Sequence, residues 1–327
     1  MHILITGGLG FIGSNFIREL ITEGKDVFIT NIDAQTYAGR LDNLADIENK
    51  KNYQYFKGNI QDYEFIQNIV KTHKVEIIIN FAAETHVDRS IQAAQPFIET
   101  NIIGTHALLE VALKQKIKKY IQISTDEVYG SIEPPKKFTE DSQIKPNSPY
   151  SASKAAADHL VRAYNKTYGL NTIIIRCSNN FGPYQFPEKV IPYFISLALE
   201  DKKVPVYGDG LNVRDWIYVL DFCRAISLIL ESGKPGEVYN VGGDCELTNL
   251  ELTKRVLKRL KKPESLISFV EDRLGHDRRY AMDSTKIKTE LGWKKKYDFE
   301  EALDKTIHWY RNNQEWIKRR TKQFAAT

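Results

Sequence analysis

Tyr150 and Lys154 combine residue types and a spacing that suggest proton-transfer chemistry, because they form a YxxxK pattern at the start of a predicted helix. A spacing of four residues places both side chains on one helix face. A nearby ammonium group favours the tyrosinate and lowers a tyrosine pKa that is about 10 without neighbours. The tyrosine could then remove a proton from a substrate hydroxyl near neutral pH. The alternative is a solvated pair, because YxxxK also occurs by chance in helices.

Asp126 and Glu127 form a second candidate, because they directly follow a short apolar run that predicts a strand. Open α/β sheets bind ligands at the carboxyl ends of their strands. If one carboxyl is desolvated and stays protonated while the other ionises, the pair can both donate and abstract protons. The alternative is structural: the two acids could cap a helix and occupy its first turn.

Residues 6–13 (TGGLGFIG) form a glycine-rich turn between a predicted strand and a predicted helix. Its glycines, spaced as GxGxxG and GxxGxxG, are Gly7, Gly8, Gly10 and Gly13. Such glycines permit a tight turn, backbone approach to a pyrophosphate and close helix packing, and the helix N-terminus attracts phosphate. Asp33 ends the next predicted strand, 20 residues after Gly13, where a carboxylate binds the adenosine ribose and repels a 2′-phosphate. No basic residue follows before Arg40, so the pattern predicts NAD rather than NADP, with a strand-end cap as the alternative for Asp33.

Strands and helices alternate in the part of the sequence that carries these residues. Apolar runs predict strands at residues 2–6, 27–33, 53–57, 77–82, 120–125 and 172–177. Helical periodicity covers residues 13–24, 99–116 and 150–168, then shorter stretches near 192–200, 220–231, 249–261 and 300–313. We predict an α/β fold with a Rossmann-type, doubly wound parallel sheet and a smaller C-terminal substrate-binding lobe. The predicted NAD-binding domain spans 1–178 and the lobe 179–327, with a soft boundary and interleaved segments.

Composition narrows the class of protein. The 327 residues carry a net charge of +4, too small an excess to indicate nucleic-acid binding. Cys177, Cys223 and Cys245 are far apart, and the histidines do not cluster, so we expect structural cysteines and no metal site. The longest strongly apolar run, residues 75–83, is too short to span a bilayer, and no leader precedes the first strand. We expect a soluble cytoplasmic protein without a membrane partner, with residues 318–320 (KRR) as a solvated, frayed helix end.

The combined motifs resemble the extended short-chain dehydrogenase/reductase family. Within it, the sequence Thr125-Asp126-Glu127 resembles the dTDP-glucose 4,6-dehydratase subfamily. Further segments that look like this subfamily are residues 81–91 (FAAETHVDRSI), 177–189 (CSNNFGPYQFPEK), 213–216 (VRDW) and 272–280 (DRLGHDRRY). The likeness runs from the first strand to about Tyr310.

The resemblance implies a three-stage reaction on dTDP-glucose. Tyr150 takes the proton of the sugar 4-hydroxyl, to which Thr125 hydrogen-bonds, while hydride passes from C4 to NAD⁺. Glu127 removes the C5 proton, which the 4-ketone has acidified, and Asp126 protonates the C6 hydroxyl so that water leaves. Hydride returns to C6, which gives a 4-keto-6-deoxy sugar for deoxysugar biosynthesis of the rhamnose type.

Together with the glycine turn and Asp33, the resemblance also implies the binding residues. For NAD they are Gly7, Gly10, Phe11, Ile12, Gly13, Asp33, Asn59, Ile60, Ala82, Ala83, Thr100, Tyr150, Lys154 and Asn180. For dTDP-glucose they are Thr85, Thr125, Asn179, Lys189, Arg214, Asn249, Arg273 and His276. Arg214 and Arg273 suit a diphosphate because guanidinium binds phosphate bidentately, although either could form a structural ion pair. Structural ion pairs are expected for Arg278 and Arg279, and His86 could be either structural or substrate-facing.

Two positions depart from the family pattern. Thr85 stands where the family usually has serine, which adds a methyl group beside the substrate. Asn59 stands where an acid usually contacts the adenine, and its amide oxygen can still accept a hydrogen bond from the adenine amino group. The resemblance further suggests that the helices over residues 99–116 and 150–168 pair across a two-fold axis, so we expect a homodimer built on a four-helix bundle.

Two other functions are compatible with part of the pattern. A 4-epimerase or a decarboxylase of the same family would use the dinucleotide site with Tyr150 and Lys154, but it has no need of Asp126 and Glu127. A catalytically silent NAD-binding regulator would have no reason to retain the tyrosine–lysine pair.

Overall fold

The structure is a computed structural model that describes residues 1–24 and 26–324. The strands in chain order are β1 (His2–Thr6), β2 (Phe28–Asp33), β3 (Tyr53–Lys57), β4 (Ile77–Asn80), β5 (Lys119–Thr125), β6 (Thr172–Cys177), β7 (Asn179–Phe181), β8 (Val204–Tyr207), β9 (Val213–Tyr218), β10 (Val238–Val241), β11 (Glu246–Thr248) and β12 (Ile267–Val270). The strand predictions are confirmed, with bounds that match or differ by one or two residues.

The helices in chain order are α1 (Phe11–Thr22), α2 (Tyr63–Thr72), α3 (Val87–Gln92), α4 (Gln95–Phe97), α5 (Thr105–Lys114), α6 (Pro149–Tyr168), α7 (Val190–Leu199), α8 (Val219–Ser232), α9 (Asn249–Leu260), α10 (Thr285–Leu291), α11 (Phe299–Asn312) and α12 (Gln314–Phe324). Short 3-10 turns cover Leu41–Leu44, Asp126–Tyr129 and Glu264–Leu266, and a π-helical stretch covers Ile98–Gly104. Among these described helices, none combines the length and apolar character needed to cross a membrane.

Seven parallel strands form the central sheet, in the order β10-β6-β5-β4-β1-β2-β3. The strand order reverses between β1 and β4, and open α/β sheets bind ligands at such a switch point. Isoleucines at the centre of the sheet, such as Ile5, Ile79 and Ile121, are fully buried, as expected for strands covered on both faces. The predicted Rossmann-type, doubly wound sheet is confirmed.

A second core lies beside the carboxyl ends of the strands. It contains the three-stranded sheet β11-β9-β7 and the pair β12-β8, packed against helices that include α7, α9 and α11. The chain then returns to the large sheet, because β10 pairs with β6 and α8 packs against α1. Residues 238–241 therefore belong to the central sheet, and the division into domains 1–178 and 179–327 stays a prediction.

The C-terminal basic run departs from expectation. Arg320 is 1% exposed, and its guanidinium stacks 3.6 Å from the ring centroid of Trp316. The expectation of a solvated, frayed end is wrong for Arg320, because the folded chain supplies an ion-pair partner, Asp42, from a distant turn. Lys318 and Arg319 are exposed, as predicted.

The cysteines occupy structural positions. Cys177 and Cys223 are buried and Cys245 is half-buried. Burial raises the pKa of Cys223 well above its usual value, so this thiol stays neutral. These positions confirm the expected role of small apolar side chains in or near the core.

Candidate active site

A cavity of about 330 Å³ opens at the carboxyl edge of the central sheet, beside the switch point. Every residue predicted to bind NAD lines it, from the glycine turn to Asn180. Catalytic candidates Thr125, Glu127, Tyr150 and Lys154 line the same cavity, as do the predicted substrate residues Thr85, Asn179 and Lys189. The fold thus brings together groups that are up to 182 positions apart in the sequence, as Gly7 and Lys189 are.

The glycine turn has the geometry that a phosphate-binding loop needs. Gly7 adopts φ +70°, and a Cβ there would lie 2.6 Å from the amide nitrogen of Ala82, so only glycine fits without distortion. Helix α1 starts after Gly10, and no side chain within the described residues 1–24 and 26–324 caps it. Its first N–H groups, including those of Phe11 and Ile12, therefore lack intrahelical partners and can bind an anion.

Asp33 holds the turn from the opposite side. Its Oδ2 accepts a hydrogen bond from the Leu9 amide at 3.0 Å, and its Oδ1 accepts one from the Gln35 amide at 2.8 Å. Burial raises the pKa of Asp33, while these two backbone bonds favour its charged form. Asn59 is exposed at the cavity edge, and its Oδ1 accepts a hydrogen bond from the Gln61 amide at 3.1 Å.

Unsatisfied polar atoms indicate a polar ligand. Within residues 1–24 and 26–324, the buried side-chain oxygens without a hydrogen-bond partner include Ser124 Oγ, Ser178 Oγ, Asn179 Oδ1 and Asn180 Oδ1. All four residues line the cavity. Because a buried polar atom without a partner costs about 1–3 kcal/mol, these oxygens are ready to bind hydroxyl or amide donors. Such donors, together with the anion site at α1, match the groups of a dinucleotide.

The YxxxK pair lies on the first two turns of α6. A capping box between Ser148 and Ser151 fixes the start of this helix. Lys154 Nζ donates to the carbonyl oxygen of Ile123 at 2.7 Å, and burial lowers the pKa of Lys154. Burial, and then the charge of Glu127, raises the pKa of Tyr150 well above its usual value. The expected lowering of the Tyr150 pKa by Lys154 is therefore wrong for the protein alone, because burial and the charges of Glu127 and Asp126 raise that pKa.

Asp126 and Glu127 lie in the 3-10 turn that follows β5. The cap of this turn is Thr125, whose Oγ1 accepts a hydrogen bond from the Glu127 amide at 3.3 Å, so neither acid serves as the cap. Asp126 is 2% exposed; its Oδ1 accepts a bond from the Thr125 hydroxyl at 3.2 Å. Its Oδ2 is among the buried atoms without a partner in the described chain. Asp126 itself is not among the residues that line the cavity.

The environments of the two carboxyls differ. Burial raises the pKa of Asp126 well above its usual value, and the charges of Glu127 and Asp215 raise it further. Burial also raises the pKa of Glu127, but the cationic groups of Arg214, Arg273 and Lys189 oppose that shift. Asp126 therefore favours its protonated form, whereas Glu127 faces positive charge. This is the division that a paired acid and base require.

Four predicted substrate residues, Arg214, Asn249, Arg273 and His276, lie outside the cavity lining. Arg214 donates to the carbonyl oxygen of Asp277 at 3.0 Å and lies over the ring of Tyr280. His276 Nδ1 is 2.6 Å from Asp272 Oδ1. The charges of the two arginines nevertheless act on Glu127 and lower its pKa. The other two arginines form the expected ion pairs, Arg278 with Asp209 at 2.8 Å and Arg279 with Glu246 at 2.7 Å.

A polar cluster that no sequence motif predicts lies at the cavity wall. Tyr37 donates to Glu188 Oε1 at 2.9 Å, and the Glu188 carboxylate lies 3.8 Å from Lys189 Nζ. His86 Nε2 is 3.6 Å from the same carboxylate, and its Nδ1 caps α3 by accepting from the Arg89 amide at 3.3 Å. These contacts favour the structural role for His86. In the sequence, the position of Glu188 beside Lys189 in a proline-rich loop is the feature that points to this cluster.

Replacing Asp126 with asparagine is expected to stabilise the protein at neutral and alkaline pH. The raised pKa means that the folded state keeps a proton which the unfolded state releases, so wild-type stability falls as pH rises from the unfolded pKa towards the folded pKa. An amide does not titrate and avoids this loss. We expect the Tm to rise by about 1–2 °C at about pH 8, equivalent to about 1 kcal/mol.

The control is Asp141→Asn, at an exposed carboxylate. Calorimetry should show the Asp126→Asn gain shrinking as pH falls and vanishing below about pH 4, where both states of the wild type are protonated. A lower Tm for Asp126→Asn than for the wild type at alkaline pH would contradict this account of the carboxyl.

The parallel sheet, the glycine turn and the tyrosine–lysine pair on α6 together define an extended short-chain dehydrogenase/reductase. Residues 4–306 match the sequence model of a family described as GDP-mannose 4,6 dehydratase. The chain belongs to this family.

Within this family, the chain is similar over nearly its whole length to several dTDP-glucose 4,6-dehydratases. A dTDP-glucose 4,6-dehydratase of Xanthomonas campestris is 46% identical, over 96% of this chain and 94% of the relative. A crystal structure of dTDP-glucose 4,6-dehydratase from Bacillus anthracis in complex with NAD has a TM-score of 0.93 and 49% identity, covering 98% of this chain and 99% of that one. The dTDP-glucose 4,6-dehydratase of Streptomyces venezuelae, with NAD and a second ligand bound, has a TM-score of 0.96 and 44% identity, covering 98% and 100%.

Proposed function

We propose that this protein is an NAD-dependent hydro-lyase that converts dTDP-glucose to dTDP-4-keto-6-deoxyglucose. The observation that carries the proposal is the pair of adjacent buried acids, Asp126 and Glu127, in the turn after β5. Glu127 lies at the cavity that Tyr150 also lines. Oxidation of a hydroxyl needs the tyrosine alone as its base, whereas loss of water needs a further acid and base, and the pair supplies both. Relatives over the whole chain, named for this activity, support the same function.

The residues of the glycine turn would hold the cofactor diphosphate, and Asp33 would hold the adenosine ribose. The uncapped N-terminus of α1 supplies N–H donors for the diphosphate, and Asp33 carries a carboxylate at the cavity wall. Asn59, Ile60, Ala82, Ala83 and Thr100 would enclose the adenine side, and Asn180 and Lys154 the nicotinamide side. When bound, NAD⁺ supplies hydride acceptance at C4, hydride return at C6 and a positive charge that favours the tyrosinate.

The proton transfers fall to this chain's own side chains. Tyr150 Oη takes the proton of the sugar 4-hydroxyl, and the Thr125 hydroxyl, whose hydrogen bond favours the charged tyrosine, orients that oxygen. Glu127 removes the proton at C5, which a 4-ketone acidifies, and it returns a proton to C5 when hydride is added at C6. Asp126, held protonated by burial, gives its proton to the departing C6 hydroxyl. Because Asp126 does not line the cavity, this step requires that its carboxyl turns towards the sugar when substrate binds.

The nucleotide part of the substrate would extend from the acid pair towards the smaller lobe. Lys189 stands at the cavity wall, where Nζ donates to the Thr85 carbonyl oxygen at 3.0 Å. Beyond it, Arg214 and Arg273 offer guanidinium groups for the diphosphate. Asn249 and His276 match family positions that bind the nucleotide sugar, and we assign them the same role. Thr85 and Asn179 would contact the sugar at the cavity.

We further propose a cytoplasmic homodimer that serves deoxysugar biosynthesis of the rhamnose type. Helices α5 and α6 pack against each other, and nearby Ile103 and Tyr168 are 51% and 55% exposed. Exposed apolar side chains beside a helix pair favour a four-helix bundle across a two-fold axis.

The test is incubation of the purified protein with dTDP-glucose, followed by NMR of the sugar. We expect the product to be a 4-keto sugar whose C6 is a methyl group. An epimerised hexose would instead identify the 4-epimerase activity, and unchanged dTDP-glucose with bound NAD would identify a silent binder.

A further inference from the structure

Asn43 connects the glycine turn to the C-terminal helix α12. It lies in the 3-10 turn Leu41–Leu44 and is 1% exposed. Its Nδ2 donates to the carbonyl oxygen of Leu9 at 2.8 Å. Its Oδ1 accepts from Trp316 Nε1 at 3.0 Å and from Arg320 Nη2 at 3.1 Å, residues that are 273 and 277 positions further along the chain.

The peptide units around Leu9 are held on both sides. The Leu9 amide donates to Asp33 Oδ2 at 3.0 Å, and the Leu9 carbonyl oxygen accepts from Asn43 and also from the Arg40 amide at 3.2 Å. Leu9 lies between Gly8 and Gly10. Since glycine loses more backbone freedom on ordering than any other residue, the conformation of this turn depends strongly on such hydrogen bonds.

Helix α12 is held in place by an ion pair and by ring contacts. Arg320 forms an ion pair with Asp42 Oδ1 at 2.5 Å, next to Asn43, while its guanidinium stacks on Trp316. A buried guanidinium that lost its partners would be costly, so Arg320 is confined to this position. The ring of Trp316 also packs against the ring of Tyr184, with 6.2 Å between the two ring centroids, and Tyr184 lines the cavity.

We propose that α12 is a positioning element for the dinucleotide. Trp316 and Arg320 act through Asn43 to hold the Leu9 carbonyl, so that the free amides at the start of α1 face the cofactor diphosphate. Trp316 and Arg320 are not among the residues that line the cavity, so their role is positioning rather than catalytic. The inference rests on the proposed NAD site, and it assigns a role in cofactor binding to residues at the opposite end of the chain.

Two variants test the connection. Trp316→Phe keeps an aromatic ring but removes the N–H donor to Asn43, and it should weaken NAD⁺ binding about fivefold, the effect of one neutral hydrogen bond. Arg320→Met keeps an unbranched, largely apolar stem and removes both hydrogen bonds of Arg320 to this turn, and it should weaken NAD⁺ binding about tenfold or more. The matched control is Lys318→Met, on the exposed side of the same helix, which should bind as the wild type does.

The measurement is titration calorimetry with NAD⁺, and separately with dTDP, on protein freed of bound nucleotide. A positioning role predicts weaker NAD⁺ binding, unchanged dTDP binding, and an unchanged kcat once NAD⁺ is saturating. Wild-type NAD⁺ affinity in Trp316→Phe, or equal weakening for NAD⁺ and dTDP, would overturn the inference. If Arg320→Met does not fold, Trp316→Phe decides alone. Failure of the wild type to bind NAD⁺ at all would instead contradict the proposed function together with this inference.

Discussion

Replacing Glu127 with glutamine is expected to block the loss of water from the sugar while leaving oxidation at C4 possible. Glutamine has the shape of glutamate but cannot accept the C5 proton. Because general-base catalysis contributes about 10²–10⁴-fold, formation of the 4-keto-6-deoxy product should fall by about that factor. The 4-keto hexose should accumulate instead, which is measured by NMR and by the near-ultraviolet absorption of the reduced nicotinamide.

The same variant should shift the pH dependence of the oxidation step. After burial, the charge of Glu127 is the second cause of the raised pKa of Tyr150. Removal of that negative charge lowers the Tyr150 pKa, so oxidation at C4 should persist to lower pH than in the wild type. Glu133→Gln, at an exposed glutamate in the next loop, is the control. Solvent deuterium that enters C5 at the wild-type rate in Glu127→Gln would refute the role of this base.

Tyr150→Phe is expected to stop the reaction one stage earlier. Phenylalanine preserves the ring that packs 6.3 Å from Phe97, but it has no hydroxyl to take the proton from the sugar. Turnover should fall by about 10³-fold or more, within the upper range for loss of a general base. Unlike Glu127→Gln, the variant should show no accumulation of the 4-keto hexose, as measured by the same spectra on mixing with dTDP-glucose.

Tyr168→Phe is the matched control, since Tyr168 lies on the same helix and is 55% exposed. Its turnover should equal that of the wild type. Binding of dTDP-glucose to Tyr150→Phe should also be retained, because the diphosphate contacts lie elsewhere. Accumulation of the 4-keto hexose in Tyr150→Phe would show that another group removes the hydroxyl proton.

Features with a local signature were predictable from the sequence. The glycine turn needs particular residues at adjacent positions, and YxxxK needs only a helix, so both could be located before the fold was known. The carboxyl ends of neighbouring parallel strands meet at one edge, which is why Asp33, Thr125 and the glycine turn line a common cavity. The strand bounds followed from apolar runs, since these strands are buried on both faces.

Features that depend on distant partners could not be predicted in this way. Arg320 pairs with Asp42 across 278 positions, and Tyr37 pairs with Glu188 across 151, so no local pattern reports either contact. The raised pKa of Tyr150 reflects burial by the whole fold, whereas YxxxK shows only the nearby lysine. The π-helical stretch Ile98–Gly104 continues into α5. Its apolar pattern resembles that of an α-helix, so the sequence predicts a single helix over residues 99–116.

The most direct test of the dehydratase account is the fate of the hydrogen at C4. The wild-type protein should be incubated with dTDP-glucose that carries deuterium at C4, and the product examined by NMR and mass spectrometry. The account predicts that deuterium moves to the C6 methyl group of the 4-keto-6-deoxy sugar within the same molecule, because hydride leaves C4 and returns to C6. Recovery of the deuterium at C4 of an epimerised hexose would contradict it.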